Sequence, residues 1–228
     1  MGIVGLIGLL FVFAIIFGPQ FWVKRALARH SINRPDLQGT GGELAQHRIE
    51  RFGISNAGVE VTDKGDHYDP SDLMVRLLQN NHDGKSITAV AVAAHEIGHA
   101  IQHFEGNRML ALRQVLVKFV SVTDTFAAVF FFFAPVLGVI VKSPVAFFGL
   151  VLLGIALLSI RLIVHLVTLP VEWDASFNKA LPILEQGNYL HPNDLPAARE
   201  VLRAAALTYV SAALSSLLNL AQWIRILR

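Results

Sequence analysis

Two histidines and a glutamate lie close together in the segment Ala93–Ala100. His95 and His99 are four residues apart, so on an α-helix their imidazoles leave from one face and can reach one metal ion. Glu96 lies beside that face, where its carboxylate can take a proton from a metal-bound water. Two nitrogen ligands and a general base on one helix form the H-E-x-x-H arrangement of zinc peptidases. The spacing predicts one zinc ion per chain; the alternative is a chance match in a pair of core histidines.

The helix that carries these residues is predicted to be buried. Ser86 is a suitable N-cap, and residues 87–102 contain no proline and are almost wholly apolar or small. Histidine and glutamate side chains inside such a helix are costly unless they are paired or bind a metal ion. The surroundings of the motif therefore favour the metal site.

A catalytic zinc ion normally takes three protein ligands and one water molecule, so a third ligand is needed. A third histidine at the metzincin spacing is excluded, because Gln102 and Glu105 stand at that pattern's glycine and histidine positions. His103 lies one turn past His99, but three ligands in a row on one helix cannot surround a tetrahedral ion. We expect His103 to orient a ligand or to form the wall of the pocket.

The best remaining candidate for the third ligand is Glu172, just after a long apolar stretch. Pro170 suits the start or a kink of a helix at this point. Ser176 is four residues on and shares the helical face of Glu172, whereas Asp174 is expected to point away from it. The alternative is a solvated carboxylate at a membrane surface.

The composition favours a membrane protein. Of 228 residues, 54% are hydrophobic and only 16% are charged, where soluble domains carry about a quarter charged residues. The net charge is +2, and basic residues do not cluster with aromatic ones, so nucleic acid is not a predicted partner. The chain has no cysteine, so a metal ion must bind nitrogen and oxygen.

Long apolar stretches divide the chain and predict three to four transmembrane helices. The predicted divisions are an N-terminal transmembrane anchor (1–23), a cytoplasmic catalytic core (24–118), a transmembrane hairpin (119–169), a third-ligand helix with a cytoplasmic segment (170–203) and a C-terminal membrane helix (204–228). Whether the last segment spans fully is left open. The two crossings of the hairpin would return Glu172 to the side of the motif helix.

The orientation follows from the basic residues that border the first apolar stretch. Lys24, Arg25 and Arg29 come directly after it, and no basic side chain precedes it. The positive-inside rule then places residue 24 onward, with the predicted site, in the cytoplasm.

Ionisable residues also occur within the predicted hairpin. Asp124 and Arg161 lie at comparable depths in its two helices, where they either form a pair or reach separately to the membrane surface. His165 is one turn beyond Arg161 and is either a proton-carrying group or a buried polar filler. These three residues would be the basis of a rival function, metal transport.

The predicted soluble core combines helix and strand. The sequence from Thr40 to Phe52 predicts a short amphipathic helix. Residues 59–61 and 73–77 are strand candidates joined by a turn-rich loop, which suggests a hairpin. The main chain near Val75 could hold an extended substrate, and the alternative is a strand that only covers the core.

Four motifs together give the chain a specific resemblance that covers nearly its whole length. They are Asp66–Pro70, Ala93–Ala100, Thr168–Ser176 and Ala204–Val210. With them the chain resembles the YugP-like bacterial integral-membrane zinc metallopeptidases.

The resemblance implies a mainly α membrane protein with a small α+β gluzincin-like catalytic domain, distantly like the Ste24 and HtpX membrane proteases. It also implies a location in the bacterial inner membrane. Glu172 matches the glutamate of the relatives' E-x-x-x-D pattern, but Ser176 stands where they have aspartate. Ser176 can still orient a ligand histidine, without the charge that raises its basicity.

These observations predict a membrane-bound zinc endopeptidase that cleaves a peptide or a membrane protein, with the lipid bilayer as its surroundings. Glu96 is the predicted general base, and His95, His99 and Glu172 are the predicted ligands. The donor that stabilises the transition state is left open among four residues: Tyr209, His103, Tyr68 and Arg199. The rival from another class is a non-catalytic adaptor or chaperone-like protein whose zinc is structural. The natural substrate, any partner protein and the oligomeric state are not predicted.

Overall fold

The computed structural model describes residues 3–54, 56–140 and 143–225. Residues 1–2 of the predicted anchor and residues 226–228 of the predicted C-terminal membrane helix lie outside these residues. The chain forms two compact units. One comprises Met1–Gly18, Leu112–Thr168 and Tyr209–Arg228, and we call it the apolar unit; the other comprises Pro19–Ala111 and Leu169–Thr208, and we call it the core unit.

The described residues are mostly helical, with one small sheet. In chain order the elements are α1 (Ile3–Arg29), α2 (Gly41–Phe52), β1 (Gly58–Thr62), β2 (His67–Asp69), β3 (Met74–Leu78), α3 (Gln79–His82), α4 (Ile87–Phe104), α5 (Arg108–Ile140), α6 (Pro144–Trp173), a π-helical segment (Asp174–Ala180), α7 (Leu181–Gln186), a 3-10 turn (Pro192–Asp194) and α8 (Leu195–Arg225). A mainly helical fold with a small sheet is as predicted.

The predicted hairpin is wrong. The strand order is β1-β3-β2, with β1 parallel and β2 antiparallel to β3. The loop that was expected to be a simple turn contains β2, which returns along the far side of β3. Val75 is buried and is aligned with Val59 on one side and Tyr68 on the other. Both edges of β3 are therefore occupied, so the predicted pairing of a substrate strand at Val75 is also wrong.

Charged residues hold the three strands together. Arg76 of β3 pairs with Glu60 of β1, with Asp69 of β2 and with Asp72 in the turn between β2 and β3. These carboxylates hold the pKa of the guanidinium above its ordinary value. Asp66 accepts hydrogen bonds from the Leu78 backbone N–H and from the Asn81 side chain, which fixes the crossover before β2.

The helices of the core unit begin where their capping residues predict. Thr40 and Glu43 form a capping box at the start of α2. Ser86 accepts a hydrogen bond from the Ala89 backbone N–H at 3.0 Å and caps α4. Every residue of α4 from Ile87 to Gln102 is buried, as predicted for this helix. It packs against α2, the sheet and the π-helical segment.

One continuous helical stretch of the described residues, Pro144–Gln186, is long and apolar enough to cross a membrane. It comprises α6, the π-helical segment and α7, and Pro170 lies inside α6 rather than at a helix start. Large apolar side chains of α6 are exposed, Val145 by 83%. The other predicted spans are not confirmed and remain predictions.

Candidate metal centre

Three buried side chains of the core unit converge at one point. His95 and His99 come from α4, and Glu172 comes from the last turn of α6. One possible ligand atom from each lies within 4.8 Å of the other two. Oε2 of Glu172 is 3.1 Å from Nε2 of His95 and 3.4 Å from Nε2 of His99.

The second ring nitrogen of His95 is fixed as a proton donor. Its Nδ1 lies 2.9 Å from the Ser176 hydroxyl oxygen, and that hydroxyl lies 3.1 Å from the Leu202 carbonyl oxygen. A hydroxyl has one proton and a carbonyl only accepts, so Ser176 donates to Leu202 and accepts from the Nδ1–H of His95. Nε2 of a neutral His95 therefore presents its lone pair to Glu172.

Gln102 fixes the ring of His99 in the same way. Its Nε2 lies 2.9 Å from the Val171 carbonyl oxygen and 2.7 Å from Oδ2 of Asp174, and both of these only accept. The amide nitrogen of Gln102 must therefore face them, which turns Oε1 toward Nδ1 of His99 at 2.9 Å. His99 donates from Nδ1, and a neutral ring presents its Nε2 lone pair to Glu172.

Nε2 of His95, Nε2 of His99 and Oε2 of Glu172 are thus three acceptor atoms that face one another. Such an arrangement is stable only if a positive charge lies between them. Burial by itself would raise the pKa of the Glu172 carboxyl, but the facing imidazoles of His99 and His95 hold that pKa well below its usual range. Protons on Nε2 or a divalent cation can supply the positive charge. Tetrahedral zinc with ligands at about 2.0–2.1 Å separates neighbouring ligand atoms by about 3.3 Å. The distances of 3.1 and 3.4 Å from Glu172 to the two histidines fit zinc, as does the donor set of two imidazoles and a carboxylate.

The close approach of α4 to the π-helical segment depends on Gly98, inside the motif. A Cβ at this position would lie 2.5 Å from the Ala175 carbonyl oxygen, closer than van der Waals contact allows. The neighbours of Ala175 in the π-helical segment, Asp174 and Ser176, make the contacts to Gln102 and His95. Three consecutive residues thus meet α4, and Gly98 gives them the room.

The comparisons with known proteins show the family of the chain. The family described as "Putative neutral zinc metallopeptidase" matches residues 5–228. The chain belongs to this family. The protein named "Putative membrane protease YugP" from Bacillus subtilis (strain 168) is 36% identical over 213 residues, which cover 92% of this chain and 90% of the relative. No solved structure matches the chain significantly.

Membership of the zinc metallopeptidase family gives the converging cluster a specific meaning. His95, His99 and Glu172 are the three residues predicted as ligands from the sequence, and they form the buried cluster that could bind a metal ion. Glu96 is buried on the same helix, directly after His95. Their roles in catalysis are taken up as a proposal below.

Two of the predicted transition-state donors contact each other near the end of α4. The Tyr68 hydroxyl lies 2.9 Å from Nδ1 of His103, and both residues are half-buried. Burial and the charge of Asp69 raise the pKa of Tyr68 to about 12, so its hydroxyl keeps its proton at neutral pH. The pair can therefore present one N–H or O–H donor beyond this contact.

The other two predicted donors, Arg199 and Tyr209, each contact a charged side chain. Arg199 is exposed and pairs with Glu185 at 2.5 Å. Tyr209 belongs to the apolar unit, where its hydroxyl accepts a hydrogen bond from Arg113 at 2.7 Å. The described contacts of Arg199 do not include any of the three ligand side chains.

The ionisable residues of the predicted hairpin also lie in the apolar unit. Asp124 is half-buried and Arg161 is exposed, and the described side chains show no ion pair between them. Nδ1 of His165 is buried and has no hydrogen-bond partner among the residues that the structure describes. The structure therefore gives no support to the predicted Asp124–Arg161 pair.

Sequence reasoning missed the two residues that support His99. Gln102 enters the sequence analysis only as a departure from the metzincin pattern, and Asp174 only as a residue that points away from Glu172. The signal for Gln102 was present, because a residue three positions after a ligand histidine lies beside it on a helix. The contact of Asp174 had no sequence signal, since it depends on how the π-helical segment meets α4.

Proposed function

We propose that this chain is a membrane-bound zinc endopeptidase in which His95, His99 and Glu172 hold the metal ion. The observation that carries the proposal is the convergence of these three ligand atoms within 4.8 Å. Two of them come from α4, the helix that also carries Glu96. Family membership supports the same function. The described cluster offers three protein ligands, the number typical of catalytic zinc, whereas structural sites normally use four.

The residues of the site have distinct tasks in this proposal. When bound, zinc polarises the scissile carbonyl and lowers the pKa of a water molecule to about 7. Glu96 accepts the proton of the attacking water and passes it to the nitrogen of the leaving peptide. The His103–Tyr68 pair supplies the hydrogen-bond donor that stabilises the developing oxyanion. Arg199 is a weaker candidate because it is exposed and pairs with Glu185, and Tyr209 stays an alternative donor.

The proposed substrate is an extended segment of a peptide or membrane protein. Within the described residues, β2 pairs only with β3, so its outer edge can accept a further strand. β2 carries Tyr68, which contacts His103 one turn beyond His99. The outer edge of β2 therefore replaces Val75 as the proposed place of main-chain pairing.

The proposed surroundings are a lipid bilayer. The exposed apolar side chains of α6 support one crossing that ends near Thr168. The multi-pass arrangement and the cytoplasmic position of the site are proposals from the apolar stretches and the basic residues after the first of them.

Replacing Glu96 with Gln tests the proposed chemistry. Purified full chain in detergent would be assayed against a mixture of quenched fluorescent peptides, and bound zinc would be counted in the same samples. The rate of peptide cleavage should fall by about 10²- to 10⁴-fold because the general base is lost. Zinc binding should be retained. Glu105→Gln is the matched control, since this exposed residue at the end of α4 pairs with Lys179 and, among the described residues, with no other charged group.

Two results would contradict the proposal. One is cleavage by Glu96→Gln at the rate of the unaltered chain. The other is a zinc-loaded unaltered chain that cleaves none of the peptides or of the membrane proteins it binds, which would favour the adaptor with structural zinc.

A further inference from the structure

The side chain of Gln102 is completely buried. Its polar contacts are with His99 of the metal centre, with the Val171 carbonyl of α6 and with Asp174 of the π-helical segment. Its exposure is 0%. Both protons of its amide nitrogen are used, by the Val171 carbonyl and by Asp174. Its carbonyl oxygen accepts the Nδ1–H of His99. A buried amide is costly to leave unsatisfied, so these contacts hold Gln102 in one orientation.

Asp174 adds a charge to this arrangement. It is half-buried, and its second oxygen accepts a hydrogen bond from the exposed Asn178 at 2.8 Å. A hydrogen bond to a carboxylate is stronger than one between neutral groups, and it polarises the amide that donates it. The negative charge of Asp174 therefore strengthens the Gln102 carbonyl as an acceptor for His99.

We propose that Gln102 and Asp174 are positioning residues that form a relay to His99 and set the affinity of the site for its metal ion. The inference rests on the proposed function, because it assigns His99 as a zinc ligand. The relay fixes the tautomer and the orientation of His99 and increases the basicity of its Nε2. His95 differs, because its support from Ser176 ends at a neutral carbonyl.

The two histidines are thus supported by different chemistry. Nδ1 of His99 contacts Gln102, which in turn contacts the Asp174 carboxylate. Nδ1 of His95 contacts the uncharged hydroxyl of Ser176. Loss of the relay should therefore weaken zinc binding even when all three ligands and the fold remain.

The test measures zinc affinity, by competition with a coloured chelator, in the purified full chain in detergent. Gln102→Leu removes every polar contact at similar side-chain size and should weaken zinc binding by about 10- to 100-fold. Asp174→Asn keeps an acceptor without the charge and should have a smaller effect in the same direction. Asn178→Ala is the matched control, since it removes the other hydrogen bond to Asp174; its affinity should stay within about twofold.

A charge exchange separates the relay from a merely structural role. Gln102→Glu alone places a second carboxylate against Asp174 and against the Val171 carbonyl, and zinc binding should weaken. In the double variant with Asp174→Asn, the new amide can donate to the new carboxylate, which still accepts from His99. The double variant should bind zinc at least about tenfold more tightly than Gln102→Glu alone, because the two residues interact directly.

The visible absorption spectrum of the cobalt-loaded chain supplies a readout of ligand orientation. It should change in Gln102→Leu and stay unchanged in Asn178→Ala. If Gln102→Leu does not fold, the comparison of Gln102→Glu with the double variant decides.

Two outcomes would overturn the relay. They are a folded Gln102→Leu variant with zinc affinity within twofold and an unchanged cobalt spectrum, and a double variant that binds no better than Gln102→Glu alone. The proposed function fails separately, if the unaltered chain binds no zinc.

Discussion

Helices α4 and α6 are both almost wholly apolar, yet they bury their side chains in opposite ways. Ile101 of α4 is 5% exposed, whereas Ile163 of α6 is 54% exposed. Along α4, apolar residues contact α2, the sheet and the π-helical segment. Along α6, large apolar side chains such as Leu152 and Leu166 have no such cover.

The difference shows that an apolar sequence has two distinct meanings. In α4 the protein itself provides the apolar surroundings, and there the two imidazoles and Gln102 find polar partners. In α6 the exposed apolar side chains are favourable only in apolar surroundings, such as those of a bilayer. Matched substitutions in the two helices can break or sharpen this comparison.

The largest difference is expected from Ile→Ala at the two isoleucines. Ile101→Ala leaves a cavity in the core unit and should lower the free energy of unfolding by about 2–4 kcal/mol. Ile163→Ala should change it by no more than about 0.5 kcal/mol, because Ile163 is already 54% exposed. Reversible unfolding of the purified full chain in mixed micelles measures both. Equal losses at the two positions would break the comparison.

A smaller difference is expected from Gly→Ala. At Gly98 a Cβ would lie 2.5 Å from the Ala175 carbonyl oxygen, so Gly98→Ala should destabilise the fold by about 1–3 kcal/mol and also weaken zinc binding. At Gly149 in α6 a Cβ meets nothing within 4 Å. Gly149→Ala should be neutral or should stabilise the helix by up to about 1 kcal/mol. The same unfolding assay applies, and a tolerated Gly98→Ala would show that α4 need not approach the π-helical segment so closely.

The smallest difference is expected at the helix starts. Ser86 is buried and caps α4 with a hydrogen bond of 3.0 Å, whereas the exposed Ser143 reaches the Ala146 N–H before α6 at 3.5 Å. Ser86→Ala should cost about 1 kcal/mol and Ser143→Ala a few tenths at most. Helical content and unfolding free energy measure both effects. A larger effect at Ser143 would contradict this ranking.

Local patterns in the sequence were sufficient for much of the core unit. The capping box of α2, the buried α4 and the choice of Glu172 follow from short-range spacing and from the requirement for a third ligand. The sheet was mispredicted, because a three-residue strand inside a turn-rich loop carries too few side chains to show a period.

Other features depend on long-range packing, which spacing does not encode. The π-helical segment places Asp174 against Gln102, a contact that the two-residue spacing from Glu172 does not predict. Glycine in the motif gives no sign by itself that a carbonyl lies against it. The residues that hydrogen-bond to the ligand histidines are therefore harder to predict than the ligands themselves. Each of them, Ser176 and Gln102, contacts a histidine and also a group on another element.

The central claim is that His95, His99 and Glu172 bind one zinc ion in the core unit. X-ray absorption at the zinc edge of the purified full chain tests it most directly. The account predicts two imidazole nitrogens and an oxygen shell at about 2.0–2.1 Å, with bound zinc lost or its ligand shell altered in Glu172→Ala. A chain that binds no zinc, or a zinc spectrum that Glu172→Ala leaves unchanged, would contradict it.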